Sequence, residues 1–379
     1  KLFFILIALI LSLNFTTSVL SAPKIKYIEG DVLITFKSDI SGDQIKEFEI
    51  SYQLTLISKI SHLRLHHYHH QGNIQTKKLM QELQKLDIIN SVDFNQINHT
   101  QYTPTDPSFN EQWYLHNTGQ QVNGLSGPSN IDIDWPEAMD IFSGIGDVIV
   151  AVIDSGVTLD HPDISSKLWV NTAETDNNSI DDDGNGYVDD IYGWDFIGND
   201  NLPIDSSGHG TLVSSIIAAS IDNGLGVAGI SQNVQIMPLL VCNNNGTCSS
   251  LDFINASTYA AENGAKIINY SAGGYNYNSS ELAQIQWLEQ QGILLIISSG
   301  NDGNDTDITF HYPSGYPVEN IISVAAIDRD NDLASFSNYG VTSVDLAAPG
   351  TSIYGANIDL QNSSFTENFP ISTASRAIV

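Results

Sequence analysis

Basic residues are scarce in this chain of 379 residues: 14 Lys and Arg stand against 44 Asp and Glu, a formal net charge of −30. That balance excludes a nucleic-acid partner, whose phosphates need a basic face, and favours solubility and cation binding instead. Cysteine is almost missing, with two in all. Two thiolates are too few for a structural zinc site, which takes four ligands. Long apolar runs are also lacking. The one at residues 2–13 falls short of the ~20 residues that span a bilayer, which argues against a stable membrane anchor.

That short run follows one basic residue and precedes the small pair Ser21-Ala22, the pattern of a signal peptide cleaved near Ala22. The expectation is an exported, extracellular chain, with residues 1–22 as the signal. The first residue is Lys1, so the initiator methionine is absent and the amino end reads as that of a fragment. In an exported chain, Cys242 and Cys248, which bracket Asn243-Asn244-Asn245-Gly246-Thr247, are expected to form a small-loop disulfide.

From Asp147 onward, short β-branched runs alternate with helical stretches. The strands are Val148 to Ile153, Val234 to Val241, Ile267 to Tyr270, Ile293 to Ser298 and Ile321 to Ala325; the helices are Thr211 to Ser220, Leu251 to Asn263 and Ser280 to Gln291. Buried strands separated by helices predict an α/β fold, a parallel sheet with helices on both faces and ligands at the carboxyl ends of the strands. Ahead of it, the strand Asp31 to Phe36, the helical-period stretch Ile74 to Leu86 and the strand Ser91 to Phe94 suggest a small α+β module. Residues 101–107, polar with two prolines, read as the linker.

Two segments carry chemistry. Asp154 ends the apolar strand Val148 to Ile153 and is followed by a small-residue turn, so its carboxylate can be desolvated and aimed at an imidazole. His209 stands between two glycines at the start of an amphipathic run, open to an approaching substrate. A serine hydroxyl becomes a nucleophile when an imidazole takes its proton, and an acid partner holds that imidazole's tautomer.

With the segments that follow, this order resembles the subtilisin-like serine proteases, the subtilases, from about Pro107 to about Ser352. The family's triad runs Asp, His, Ser, and Asp154 and His209 match the first two motifs. Ile267 to Gly274 is similar to the family's substrate-binding strand, and Ile296 to Gly303 to its oxyanion motif. The resemblance therefore implies Asn301 as oxyanion donor, and Ser271, Ala272, Gly273, Ser298, Ser299 and Gly300 as substrate-binding residues. The small residues there suggest an open cleft taking large apolar side chains.

The third catalytic motif departs from the family. Ala347-Ala348-Pro349-Gly350 matches the usual lead-in, but Gly-Thr-Ser becomes Pro370-Ile371-Ser372, and the residues corresponding to Pro and His become Arg376 and Ala377. Ser372 is the candidate nucleophile and Ser375 a weaker second. The catalytic domain, 108–379, then reads as incomplete at its carboxyl end, through a frameshift, a truncation or decay to an inactive homologue. The resemblance also makes residues 23–100 a propeptide that assists folding and acts as an intramolecular inhibitor, and it implies a secreted, calcium-stabilised, monomeric endopeptidase acting on polypeptides.

Two further clusters stand out. Asp181 to Asp190 holds five acids in ten residues; Asp181, Asp183 and Asn185 alternate as oxygen ligands and Asp189 takes the ninth position of a calcium loop, with Tyr192 where a bidentate Glu is expected. These four are the expected calcium ligands. His62, His66, His67, His69 and His70 crowd into nine positions and read as a solvated polar loop or edge strand rather than as a metal site.

Overall fold

The computed structural model describes residues 27–72, 74–96, 102–122, 124–141, 146–358 and 365–367. The expected signal segment, Ser372 and Ser375 lie outside the described residues. The chain divides into two compact units at Thr100/Gln101.

The first unit is an antiparallel α+β module with strands β1 (Tyr27–Phe36), β2 (Leu54–Ile60), β3 (Leu65–His70) and β4 (Ile89–Gln96), in the order β2-β3-β1-β4. Helix α1 (Gly42–Ser51) joins β1 to β2, and α2 (Thr76–Leu83) joins β3 to β4. Ser41 and Gln44 close a capping box that starts α1. Alternate residues Val32, Ile34, Phe36 and Tyr68 pack on Phe48, Leu79 and Leu83 of the helices. The histidine-rich stretch differs from its expectation: β3 is an inner strand. His67 and His69 are held on its far face by Asp31 at 2.7 Å each, an acidic partner on the neighbouring strand β1 that is distant only in sequence.

The second unit contains α3 (Trp135–Ile141), β5 (Val148–Asp154), β6 (Trp194–Asp195), α4 (His209–Ala218), β7 (Val234–Leu240), α5 (Ser250–Glu262), β8 (Ile267–Tyr270), α6 (Ser279–Gln290), β9 (Leu294–Ser298), β10 (Ile321–Ile327) and β11 (Leu346–Pro349). Seven of these strands form one parallel sheet in the order β11-β10-β9-β8-β5-β7-β6. A short antiparallel pair, β12 (Tyr354–Ala356) and β13 (Phe365–Glu367), lies beside α4, with Ala356 N–H donating to Ser215 Oγ.

The unbroken apolar run of β5 follows from burial on both faces. Ala151 and Ile153 join Met237, Leu239, Phe253, Tyr259, Ile285 and Leu288 in one core, beneath α5 and α6. Val150 and Val152 point the other way, to Ile236, Val213 and Ala218 beneath α4. The α/β architecture with helices on both faces is therefore the observed one. Every expected strand and helix of this unit is present within two residues of its expected bounds. Strand β5 is also where the sheet order turns, with β7 on one side and β8 on the other, so its carboxyl end opens the crevice in which α/β sheets bind ligands.

Candidate active site

Asp154 is the last residue of β5 and is 4 % exposed. Its main-chain carbonyl accepts from Val241 and Cys242 N–H, and Ser155 N–H donates to Oδ1 at 2.7 Å. Both carboxylate oxygens face His209 Nδ1, at 2.7 and 2.9 Å. The pair that sequence spacing placed apart is thus joined. A carboxylate on Nδ1 keeps the proton there and leaves Nε2 as the basic nitrogen.

His209 is the first residue of α4, after Gly208 at φ 91°. The turn before it is organised by Asp205, a buried residue that sequence reasoning missed. Asp205 Oδ1 accepts from Ser155 Oγ, Ser207 N–H and Gly208 N–H, and Oδ2 accepts from the N–H and the hydroxyl of Thr211. Those donors include N–H groups that a helix start leaves without an intrahelical acceptor, and the carboxylate also suits the positive end of the helix dipole. The visible signal was an Asp six residues before a helical Thr. Gly210 is required by close approach: a Cβ there would lie 2.1 Å from Gly156 O.

Strand register carries the remaining groups to the same edge of the sheet. Ile153 pairs with Tyr270 and Tyr270 with Ile297, so Asp154, Ser271 and Ser298 each stand one residue beyond a common row. Beyond β8, Gly274 and Tyr312 exchange both backbone hydrogen bonds at 2.8 and 2.7 Å, which anchors the segment 271–274. Beyond β9, residues 299–304 are latched by Asn338, which is fully buried. Its Nδ2 donates to Ser299 O, and its Oδ1 accepts from Asp302 and Asn304 N–H, on both sides of the half-buried Asn301 turn. Asn338 carried no signal in the sequence, since its partners are brought together only by the fold.

Where the small residues of segments 271–274 and 298–301 suggested an open cleft, a side chain from a third segment stands between them. His311, 4 % exposed, puts its imidazole against both Gly273 and Gly300. Burial lowers its pKa to about 4, the nearby Asp302 only partly opposing this, so the ring is neutral at physiological pH.

The acidic loop is organised differently from its expectation. Asp181 spends its carboxylate on the N–H groups of Gly184, Asn185 and Gly186, and Asp189 on those of Asn178 and Ser179. Asn185 turns its Nδ2 to Asp183 and Asp190. The carboxylates gathered within 4.8 Å of one another are Glu174, Asp183 and Asp190, so of the three expected carboxylate ligands Asp183 alone belongs to the group, and Asn185 stands beside it, bonded to two of its members. Glu174 lies outside the acidic run, and Asp190 is one residue past the position that loop numbering favoured. Cys242 and Cys248 form the expected disulfide.

Residues 146–374 match the Subtilase family. The chain is 29% identical over 340 residues to a thermophilic serine proteinase of a Bacillus species, covering 88% of this chain and 72% of that protein. It is 34% identical over 253 residues to thermitase of Thermoactinomyces vulgaris, covering 67% and 75%. Among solved structures, a protease of Pseudoalteromonas arctica aligns with a TM-score of 0.52 at 26% identity, over 66% of this chain and 73% of that one. With a family match over more than half its length and these serine proteinases as relatives, the chain belongs to the subtilase family of serine-type endopeptidases.

Proposed function

We propose that this chain is the precursor of a secreted endopeptidase that hydrolyses peptide bonds through Asp154, His209 and Ser372, with Asn301 as oxyanion donor. The observation that carries the reading is the buried Asp154 carboxylate on His209 Nδ1, at the carboxyl edge of the parallel sheet. His209 Nε2 takes the proton of Ser372 Oγ as that oxygen adds to the scissile carbonyl carbon. The carbonyl oxygen becomes an anion, to which Asn301 Nδ2 donates. The imidazolium, stabilised by Asp154, returns the proton to the leaving amine, and water then releases the acyl group by the same steps in reverse. Segments 271–273 and 298–300 line the bound polypeptide.

Residues 23–100 act as the propeptide, an intramolecular inhibitor, and 1–22 as the signal. Among the described residues no helix is long and apolar enough to cross a membrane. In this reading the enzyme works outside the cell, as a monomer. Calcium is the cofactor in this reading, held by Glu174, Asp183 and Asp190. The donors are all oxygen, two of the three residues are buried, and no cationic side chain pairs with them among the described residues. When bound, the cation would offset two of the three negative charges and tie residues 174–190 together.

A second reading, a binding or regulatory homologue without activity, is favoured by the Pro370-Ile371-Ser372 departure alone. Fluorophosphonate labelling separates the two. An active endopeptidase labels in the wild type and loses the label in Ser372→Ala and His209→Ala. A wild type that stays unlabelled and leaves casein intact overturns the protease reading, and a label that survives Ser372→Ala moves the nucleophile elsewhere.

A further inference from the structure

Strands β8 and β9 are neighbours in the parallel sheet, and each runs past its carboxyl end into a glycine-containing segment, 271–274 and 298–301. A carbonyl held by Asn301 carries its own side chain on the adjacent Cα. That side chain has the space between these two segments to enter, so whatever lies there decides what fits.

What lies there comes from a third part of the chain. A methyl group added at Gly273 would stand 2.4 Å from His311 Cε1 and 3.0 Å from its Nε2. A methyl added at Gly300 would stand 2.9 Å from both Cδ2 and Nε2 of the same ring. One edge of the imidazole therefore spans the gap and touches both glycines. The absence of side chains at both positions lets the ring approach, although the same methyls would also stand 2.5 Å from Tyr312 O at Gly273 and 2.3 Å from Asn338 Nδ2 at Gly300.

The ring is fixed in that position. Its Nδ1 lies 2.9 Å from Ser314 Oγ, and that hydroxyl also donates to the His311 carbonyl oxygen. The following residue, Tyr312, is paired through both backbone groups with Gly274, so His311 moves with the segment it fills. Tyr275 closes the outer side, its ring edge-on to the imidazole at 5.4 Å, and its hydroxyl donates to Asp302. Close-packed interiors do not admit a second large group without displacing the first.

We propose that His311 is a specificity-determining residue: by filling the recess between Gly273 and Gly300 it makes the site accept a glycine, alanine or serine as the residue whose carbonyl is attacked, and reject aromatic and long aliphatic residues. This rests on the endopeptidase reading above and names the substrate class of that site. It also replaces the sequence expectation of a cleft for large apolar side chains.

The experiment uses the full chain and a peptide series that differs only in the residue on the acyl side of the scissile bond, alanine against phenylalanine. The wild type is expected to prefer alanine at least ten-fold in kcat/KM, within the range that pocket size alone supplies. His311→Gly is expected to shift the ratio at least ten-fold toward phenylalanine, and His311→Asn by a smaller amount in the same direction. Thermal unfolding of each variant shows that it is folded, and His311→Asn keeps a polar side chain beside Ser314 should the glycine variant fail to fold. Equal turnover of both peptides by the wild type, or an unchanged ratio in a folded variant, overturns the proposal. If no form hydrolyses anything, the endopeptidase reading has failed separately. The recess is then read by calorimetry with product peptides ending in alanine or phenylalanine, where tighter binding of alanine, reversed in His311→Gly, supports the proposal and equal affinities overturn it.

Discussion

Asp205 accepts two hydrogen bonds from Thr211, one from its N–H at 2.9 Å and one from its hydroxyl at 2.7 Å, and so closes the turn on which His209 is carried. The same carboxylate holds Ser155, next to Asp154. One buried acid thus ties together the two segments that supply the Asp154–His209 pair, without touching the imidazole itself.

Asp205→Ala leaves the N–H groups of Ser207, Gly208 and Thr211 without this acceptor at a buried helix start. A cap lost together with buried donors costs about 2–4 kcal/mol. Urea unfolding is expected to show the midpoint lowered with the slope unchanged. A loss below ~1 kcal/mol would remove the clamp from this account.

Asp154→Asn keeps the shape of the carboxylate but presents an NH2 that favours the opposite imidazole tautomer. For the Ser-His-Asp arrangement this change lowers kcat by about 10⁴. The measurement is steady-state hydrolysis beside a thermal melt, and the expected result is lost turnover in a folded protein. Near-normal turnover would mean that Asp154 only supports the fold.

Asn338→Ala releases the Ser299 carbonyl and the N–H groups of Asp302 and Asn304. Because Asn301 lies within that loop, the expected signature is a fall in kcat of roughly 10- to 100-fold, below the 10²–10³ for deleting an oxyanion donor outright, with KM little changed. A rise in KM at constant kcat would assign Asn338 to substrate binding instead.

Removing calcium with a chelator is expected to lower the melting temperature, and the Glu174→Gln/Asp183→Asn double variant should no longer respond to added calcium. Stabilisation follows RT ln(1 + [Ca²⁺]/Kd), so the melting temperature should rise with calcium over a concentration series. A parallel variant, Asp181→Asn, tests the assignment: it should keep the calcium response, because Asp181 lies outside the cluster of three carboxylates.

His311 gives stability a pH dependence of defined sign. Its pKa is about 4 in the folded chain, against 6.5 for an unperturbed histidine, so below pH 6.5 the unfolded chain binds a proton that the folded chain does not. Stability from this group is present above pH 6.5 and is lost as pH falls toward 4, by up to about 3 kcal/mol. The wild-type stability advantage over His311→Asn should therefore shrink on acidification through that window. A difference that stays constant from pH 7 to 4 would contradict the burial argument.

The sequence by itself determined the α/β alternation, the order of Asp154 and His209, and the disulfide loop. Each is written locally: a β-branched run buried on both faces, a residue at a strand end, a His between glycines, two cysteines across a short turn. The helical stretches Leu251 to Asn263 and Ser280 to Gln291 were legible for the same reason, since period and capping are near-neighbour properties. Tertiary structure alone decided which of many acids cluster, which buried polar groups position the site, and what fills the recess beside Asn301. Glu174 joins Asp183 and Asp190, Asn338 reaches Ser299, and His311 fills the space left by Gly273 and Gly300. The histidine stretch likewise became an inner strand because β1 and β2 pair on either side of it, with Asp31, far away in sequence, across from His69. Such partners are fixed by strand register and packing, and the space beside small residues is closed or left open by a side chain from another segment.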